Sequence, residues 1–450
     1  MKLSHVYHLY RRAGFGIKPE QAKALTAFSV EEVVDRLISS SEKFTPLEID
    51  LSMFDAYFAQ NPKPRFKDFK KILVKNKHLK FDINKAWLDR LFDPTEILNE
   101  RLTLFWANVF VCKDYVVPNV QQFNNTLRRF ALGNFRDFTM AVAREPAMIK
   151  YLDNNKNKKE HPNENFAREL MELFTLGVGN YSEKDVKEAA RAFTGYGYKL
   201  DGTFYLKRRD HDYGIKEFMG RQGAFNGDDI ISIICEQPAC ARFICTKLYT
   251  YFVNEVPNNR HIEELEDIFY PSLEIRPVIE YMFKAAWFYS EENIGTKIKS
   301  PVDLLTSINN IVPYEFAGEK EHVYIQRVTG QLLFSPPNVA GWKGGRDWIS
   351  TNTLLLRMKL PSVFLGDGFV PTSHLRRLAG GRSFGDKLRI KKSWKEYERA
   401  YSGLNNAELI EAICPGPLQP GTQRMLSRET GLSSRETALQ LMSLPEFQLT

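Results

Sequence analysis

The 450-residue sequence predicts a mainly α-helical protein with a multi-helix, largely orthogonal architecture and one small β-hairpin near residues 196–206. Three observations predict it. Helix-start signals recur, the apolar residues behind them are spaced three and four apart, and strand signals are few. Ser29 with Glu32 forms a capping box ahead of Val33, Val34 and Leu37. Asp93-Pro94-Thr95-Glu96 puts a cap, a first-turn proline and an acid in order, and Ser300-Pro301-Val302-Asp303 repeats that logic. Ser182 with Asp185, Asn405 with Glu408, and Ser433 with Glu436 are further starts. Helical spacing follows in Leu98, Leu102, Phe105 and Val109, and in Ile230, Ile233 and Ile234. The hairpin is predicted from Asp201-Gly202 set between two aromatic-rich runs, at Tyr196 and Tyr198 and at Phe204 and Tyr205.

Composition narrows the class. With 43% hydrophobic and 13% aromatic residues the chain can bury a sizeable core, and 26% charged residues is a globular value. A net charge of +7 over this length is mild, and no nucleic-acid partner is expected. Cys112, Cys235, Cys240, Cys245 and Cys414 match no zinc spacing and read as reduced core thiols. No run approaches the ~20 apolar residues needed to span a bilayer, and none at the start has signal-peptide length, so the expected location is the cytoplasm. There is no Gly-x-Ser-x-Gly elbow, Walker A loop, dinucleotide fingerprint or His-Glu-x-x-His. The domain expectation is a main helical unit over 1–365, with N-terminal helices (1–130), a central motif region (131–260) and helices plus a Pro/Trp loop (261–365). A basic loop and a small helical unit packed on the rest occupy 366–450. Two stretches are basic. Residues 63–80 hold eight Lys or Arg between apolar positions and read as an amphipathic helix with a solvated face, or as an anion-binding patch. Residues 368–395 read as a mobile loop.

The segment 162–177 carries the most information. At 100° per residue, Phe166, Leu170, Leu173 and Phe174 fill one arc, the core face. Asn165, Glu169 and Glu172 fall within about 60° of one another. Arg168 flanks that strip, Met171 and Thr175 take the remaining side, and Gly177 supplies the C-cap. Two stacked carboxylates and an amide suit a divalent cation, or an acid and a base. The plainer reading pairs Arg168 with Glu172 at i,i+4 and Glu169 with a basic residue elsewhere. In the next helix, 182–193, Glu188 and Arg191 project from the side opposite the core, towards solvent. After the hairpin, His211-Asp212 reads as a ligand or acid–base pair, or as a turn whose Asp caps the backbone. His5 and His8, one helical turn apart, either share a metal, or pack or face water. The loop 334–348, with two prolines, three glycines and two tryptophans, reads as a rigid aromatic binding loop or a tightly packed Ω-type loop.

Four segments together resemble the bacterial domain-of-unknown-function family numbered 1800. They are 8–16, ending Arg11-Arg12-Ala13-Gly14-Phe15-Gly16; 162–177 continuing through 185–195; His211-Asp212 with Lys216 and Gly220; and 334–349. Residues 147–153, 298–301 and 444–448 fit the same pattern, so the resemblance covers nearly the whole chain in order. It implies one long, mostly helical architecture and brings no established activity. Relatives are often encoded beside a protein of family 1501, which is similar to alkaline phosphatases, and many look exported. Members commonly carry His residues in the segment matching 105–110, where this chain has Ala107 and Val109. Two expectations follow. As a metal-assisted hydrolase or related enzyme, the chain would use Glu169, Glu172, His211 and Asp212 as catalytic groups or ligands of a divalent metal. Asn165, Arg168, Arg191, Trp342, Arg346 and Trp348 would bind substrate, with the Trp342 loop covering the pocket. As a non-catalytic partner or scaffold, the same charges would fix helix packing, and the loop 336–348 would dock an alkaline-phosphatase-like neighbour. Geometry separates them, because the enzyme needs Glu169, Glu172 and His211 to converge on one concave pocket.

Overall fold

A computed structural model of the chain describes residues 1–366, 388–428 and 431–450. Helices dominate, and the predicted capping boxes form at Ser29, Ser182, Ser300, Asn405 and Ser433, each accepting the third-residue amide. One start is displaced. Asp93 takes the Thr95 amide at 2.9 Å in a local turn, and Glu96 turns to Arg90 (3.1 Å) and the Thr45 hydroxyl (2.6 Å). With cap and acid both engaged elsewhere, the helix begins later, as Ile97–Val109. Its apolar positions Leu98, Leu102, Phe105 and Val109 are all buried. Within that helix Glu100 holds Arg128 in a buried two-pronged pair (2.7 and 2.9 Å) and accepts from the Trp87 indole at 3.2 Å.

Two apolar clusters form the core. One draws on residues between Leu9 and Tyr289 and is centred on the aromatic stack Trp106, Phe110, Phe135 and Phe138. The other joins N-terminal residues such as Val6 and Trp87 to Leu305, Phe364 and Phe447. Among the described residues there are three two-stranded antiparallel sheets. The predicted hairpin is one, pairing Tyr196–Tyr198 with Phe204–Leu206, and Gly202 turns it at φ +86°. A second pairs Lys216–Phe218 with Arg221–Gly223 through Met219 and Gly220, both at positive φ as a tight hairpin turn requires. A third pairs Tyr314–Phe316 with Ile390–Lys392. Neither of these was predicted. The strands are three residues long, too short to show an alternating pattern, and the third pair joins partners far apart in sequence.

The basic stretch at 63–80 contains the amphipathic helix Phe66–Lys75, whose Phe69 is buried against Phe54 and Phe58. Of the second basic stretch, 368–387 lies outside the described residues. Cys235, Cys240, Cys245 and Cys414 are buried, Cys112 is half-buried, and all five are free. No helix among the described residues is long and apolar enough to cross a membrane.

Candidate functional site

The charged helix changes pitch along its length. Asn165–Glu169 is α-helical, but Leu170–Thr175 is a π-helix. Its wider turn shows in the Thr175 hydroxyl bonding Leu170 O at 2.6 Å and in Leu176 N reaching Met171 O at 2.8 Å. Beyond Leu170 the 100° step therefore fails. Met171 is fully buried, while Leu173 is only half-buried. Such insertions are frequent at functional sites. Glu172 accepts from the Tyr181 hydroxyl at 2.8 Å. Burial, and then the charge of Glu172, raise the pKa of Glu169 above the ordinary carboxylate range. Asn165 is exposed. Arg168 does not pair with Glu172. It forks onto both oxygens of Glu183 (2.7 and 2.8 Å) and reaches Glu164 at 3.0 Å. The fork geometry favours Glu183, and an acid four residues before an arginine is the better-placed helical partner.

The helix Glu183–Ala192 is a clamp. Its predicted solvated side instead grips the second hairpin. Asp185 accepts the Met219 amide (2.8 Å), and Glu188 accepts the Glu217 amide (2.9 Å). Arg191 Nε donates to Asp212 at 2.7 Å, while its Nη1 pairs with Glu188 at 2.8 Å. Positions 185, 188 and 191 lie on one strip by their spacing, which is why one helix face holds one loop. Burial pushes the Asp212 carboxyl up, but Arg191 and the Gly214 amide outweigh it and hold it below its usual range. The Lys216 ammonium donates to Asp212 O (2.7 Å) and Gly214 O (3.0 Å). His211 is buried. Its Nδ1 faces Thr194 O at 2.8 Å, which places the proton on Nδ1, and its ring packs edge-on to Tyr213.

These contacts give each member of the predicted catalytic set its own surroundings. Glu172 sits with Tyr181 at the start of the clamp helix, and His211 sits with Thr194 at its end. Ten helical residues span about 15 Å. His211 and Asp212 stay together with Arg191, while Glu172 contacts Tyr181. Among the described residues no three of His, Cys, Asp and Glu gather around a common point as metal ligands would. His8 points its Nε2 at Phe288 O (3.1 Å) and His5 stacks on Tyr289, so this pair packs. Ala107 and Val109 line different cavities, as residues two apart on a helix must, being about 200° apart in azimuth.

The tryptophan loop is anchored rather than presented. Asn108 clamps the Trp342 backbone from both sides, accepting from its amide (2.7 Å) and donating to its carbonyl (3.0 Å). The Trp342 ring is 6% exposed. Trp348 is half-buried beside Gly330, and Arg346 is exposed. Gly345, at φ +60°, approaches Glu255 so closely that a Cβ would lie 2.4 Å from its carboxylate oxygen. Beneath this loop is a cavity of about 360 Å³ lined by Val109, Lys247, Glu255 and Lys297. Burial, with Arg12 nearby, lowers the Lys297 pKa to about 7. Sequence reasoning missed these three polar residues. They are scattered over fifty positions with no shared motif, and only the tertiary fold brings them under the glycines. The cavity's one hydroxyl outside a tyrosine, that of Thr250, donates to Thr246 O at 2.8 Å rather than to a base.

No curated protein and no solved structure matches the chain. The family model described as protein of unknown function DUF1800 matches residues 8–449, and the chain belongs to that family.

Proposed function

We propose that this chain is a non-catalytic partner protein, in which the segment 204–215 presents a docking face to a second protein. One observation carries the reading. Three of the charges singled out in the sequence are already paired, Arg168 with Glu183, and Arg191 with Asp212 and Glu188. Of the groups hydrolysis would use, Glu172 meets Tyr181 just before the helix Glu183–Ala192, and His211 meets Thr194 just after it. A structural network of this kind fixes a loop in place. That loop holds Tyr213 and Ile215 out in water, 62% and 63% exposed. Large side chains projecting from a rigid backbone suit an interface core, since little ordering is required on binding. The buried Trp342 does not suit that role. The alkaline-phosphatase-like neighbour implied by the family resemblance is the first partner to test. Co-expression with that neighbour should yield a complex, and Tyr213→Ser with Ile215→Ser should lower its yield at least tenfold without changing the circular dichroism. An unchanged yield defeats the docking face. Phosphate or carboxylic-ester hydrolysis by the purified chain, abolished in a folded Glu172→Gln variant, defeats the non-catalytic reading.

A further inference from the structure

A second site lies away from the charged helix. A cavity of about 570 Å³ opens between the helices Leu79–Phe92 and Glu321–Thr329 and the start of Val117–Arg129. That volume is ordinary for a small-molecule site. Its floor is apolar and buried, with Ile83, Val117, Val120, Val323 and Leu333. Its rim carries four exposed cations, Lys80, Lys113, Lys320 and Arg327. None of the four has an acidic partner among the described residues, and Lys80 and Lys320 instead stand 5.0 and 5.5 Å from the Phe81 ring centre. The one acid in the lining, Asp114, is spent. It takes Lys150, the Asn119 amide group (3.0 Å) and the Val116 amide (3.2 Å). The mouth is therefore positive and uncompensated.

The depth of the cavity is as telling as its rim. Asp114, Val120 and Phe334 also line a narrow cavity of about 20 Å³ that runs in beneath Trp342, beside Ala107 and Ala147. Phe334 is the partition. It holds a left-handed backbone at φ +62°, which a bulky residue adopts only when its surroundings enforce it, and its ring packs on Trp87 at 4.7 Å. The buried amide in the wall, Asn84, is already satisfied by Gln326 (2.7 Å) and Leu333 O (3.1 Å), so it has nothing left to read a nucleobase edge. A positive rim over an apolar floor defines one kind of ligand.

We propose that this cavity binds an amphiphile with an anionic head and a single unbranched aliphatic chain. Lys113, Lys320 and Arg327 hold the head, and the chain lies along Val117, Val120 and Leu333 towards Phe334. The site is independent of the docking face proposed above. Titration calorimetry of the full chain with decanoate, decyl phosphate and decyltrimethylammonium, all below their micelle concentrations, tests it. One or both anions should bind saturably at one per chain, and the tighter identifies the head as carboxylate or phosphate. The cation should not bind. Shortening the chain by two carbons should weaken binding roughly tenfold. Lys320→Glu with Arg327→Glu, both exposed and neither in an ion pair among the described residues, should weaken it at least tenfold while leaving the thermal unfolding curve in place. Equal binding of cation and anions, indifference to charge reversal, or no saturable heat with either anion overturns the proposal.

Discussion

At Glu145 burial works against the charge. The residue is 6% exposed, its Oε1 takes the Thr126 hydroxyl at 2.5 Å, and its Oε2 has no partner within hydrogen-bond distance among the described residues. Burial raises its pKa from 4.5 to about 7. A folded state that holds the proton more tightly than the unfolded chain is favoured by protonation. The contribution is fully present below pH 4.5 and is lost as pH rises through about 7, amounting to about 3 kcal/mol. Urea unfolding of wild type and Glu145→Gln at pH 5 and pH 7.5 reads this as a difference. The variant should gain on the wild type by a few kcal/mol at the higher pH, and parallel curves would rule it out. Nothing in the neighbourhood of Glu145 in sequence announces this, because desolvation depends on what packs over the carboxyl. Arg168 is the opposite case. That it would meet a carboxylate was legible, but which one was not, since Glu164, Glu172 and Glu183 all lie within reach of a long side chain and only the helix pitch and the next helix decide among them.

Between elements, the capping boxes were legible because each is a contact over three residues, and the helix starts they predict are where the chain puts them. The π-turn at Leu170–Thr175 was not, because its extra residue is accommodated by packing rather than by any local signal. The loop after Phe334 read equally well as presented or packed. Asn108, more than two hundred residues earlier, decides for packing. Replacing Asn108 by Ala removes two backbone clamps and leaves the Trp342 amide and carbonyl to find others. The expected loss is about 1–3 kcal/mol, with the Trp342 amide exchanging its hydrogen much faster and protease cutting between 335 and 348. Unchanged exchange at Trp342 would show that the loop is held by its own side chains.

Over the whole molecule, the two apolar clusters are tied through shared helices, Leu3–Ala13 among them. Leu9 and Ala13 of Leu3–Ala13 belong to the first, and Val6 and Tyr7 to the second. The segment 446–450 closes the second cluster. Thr450 and Lys297 exchange backbone bonds (2.8 and 3.2 Å), the Lys299 ammonium bonds Phe447 O at 2.8 Å, and Arg357 reaches Gln448 at 3.1 Å. Phe447→Ala should cost about 3–5 kcal/mol, and because the clusters share a helix, amides of Leu3–Ala13 should lose protection together with those of 297–299. Loss confined to residues after 388 would show that the last unit unfolds by itself. The sequence by itself determined the class of the fold, five of the six helix starts marked by caps, the first hairpin and the family, because these rest on contacts within a few residues and on an ordered series of motifs. Only the tertiary structure decided the partners of these groups, Arg168 with Glu183, His211 with Thr194 and Trp342 with Asn108. It also decided that the cations of 80, 113, 320 and 327 face a common mouth. Both outcomes depend on which distant elements pack together, and side-chain periodicity along one helix carries no information about what lies across from it.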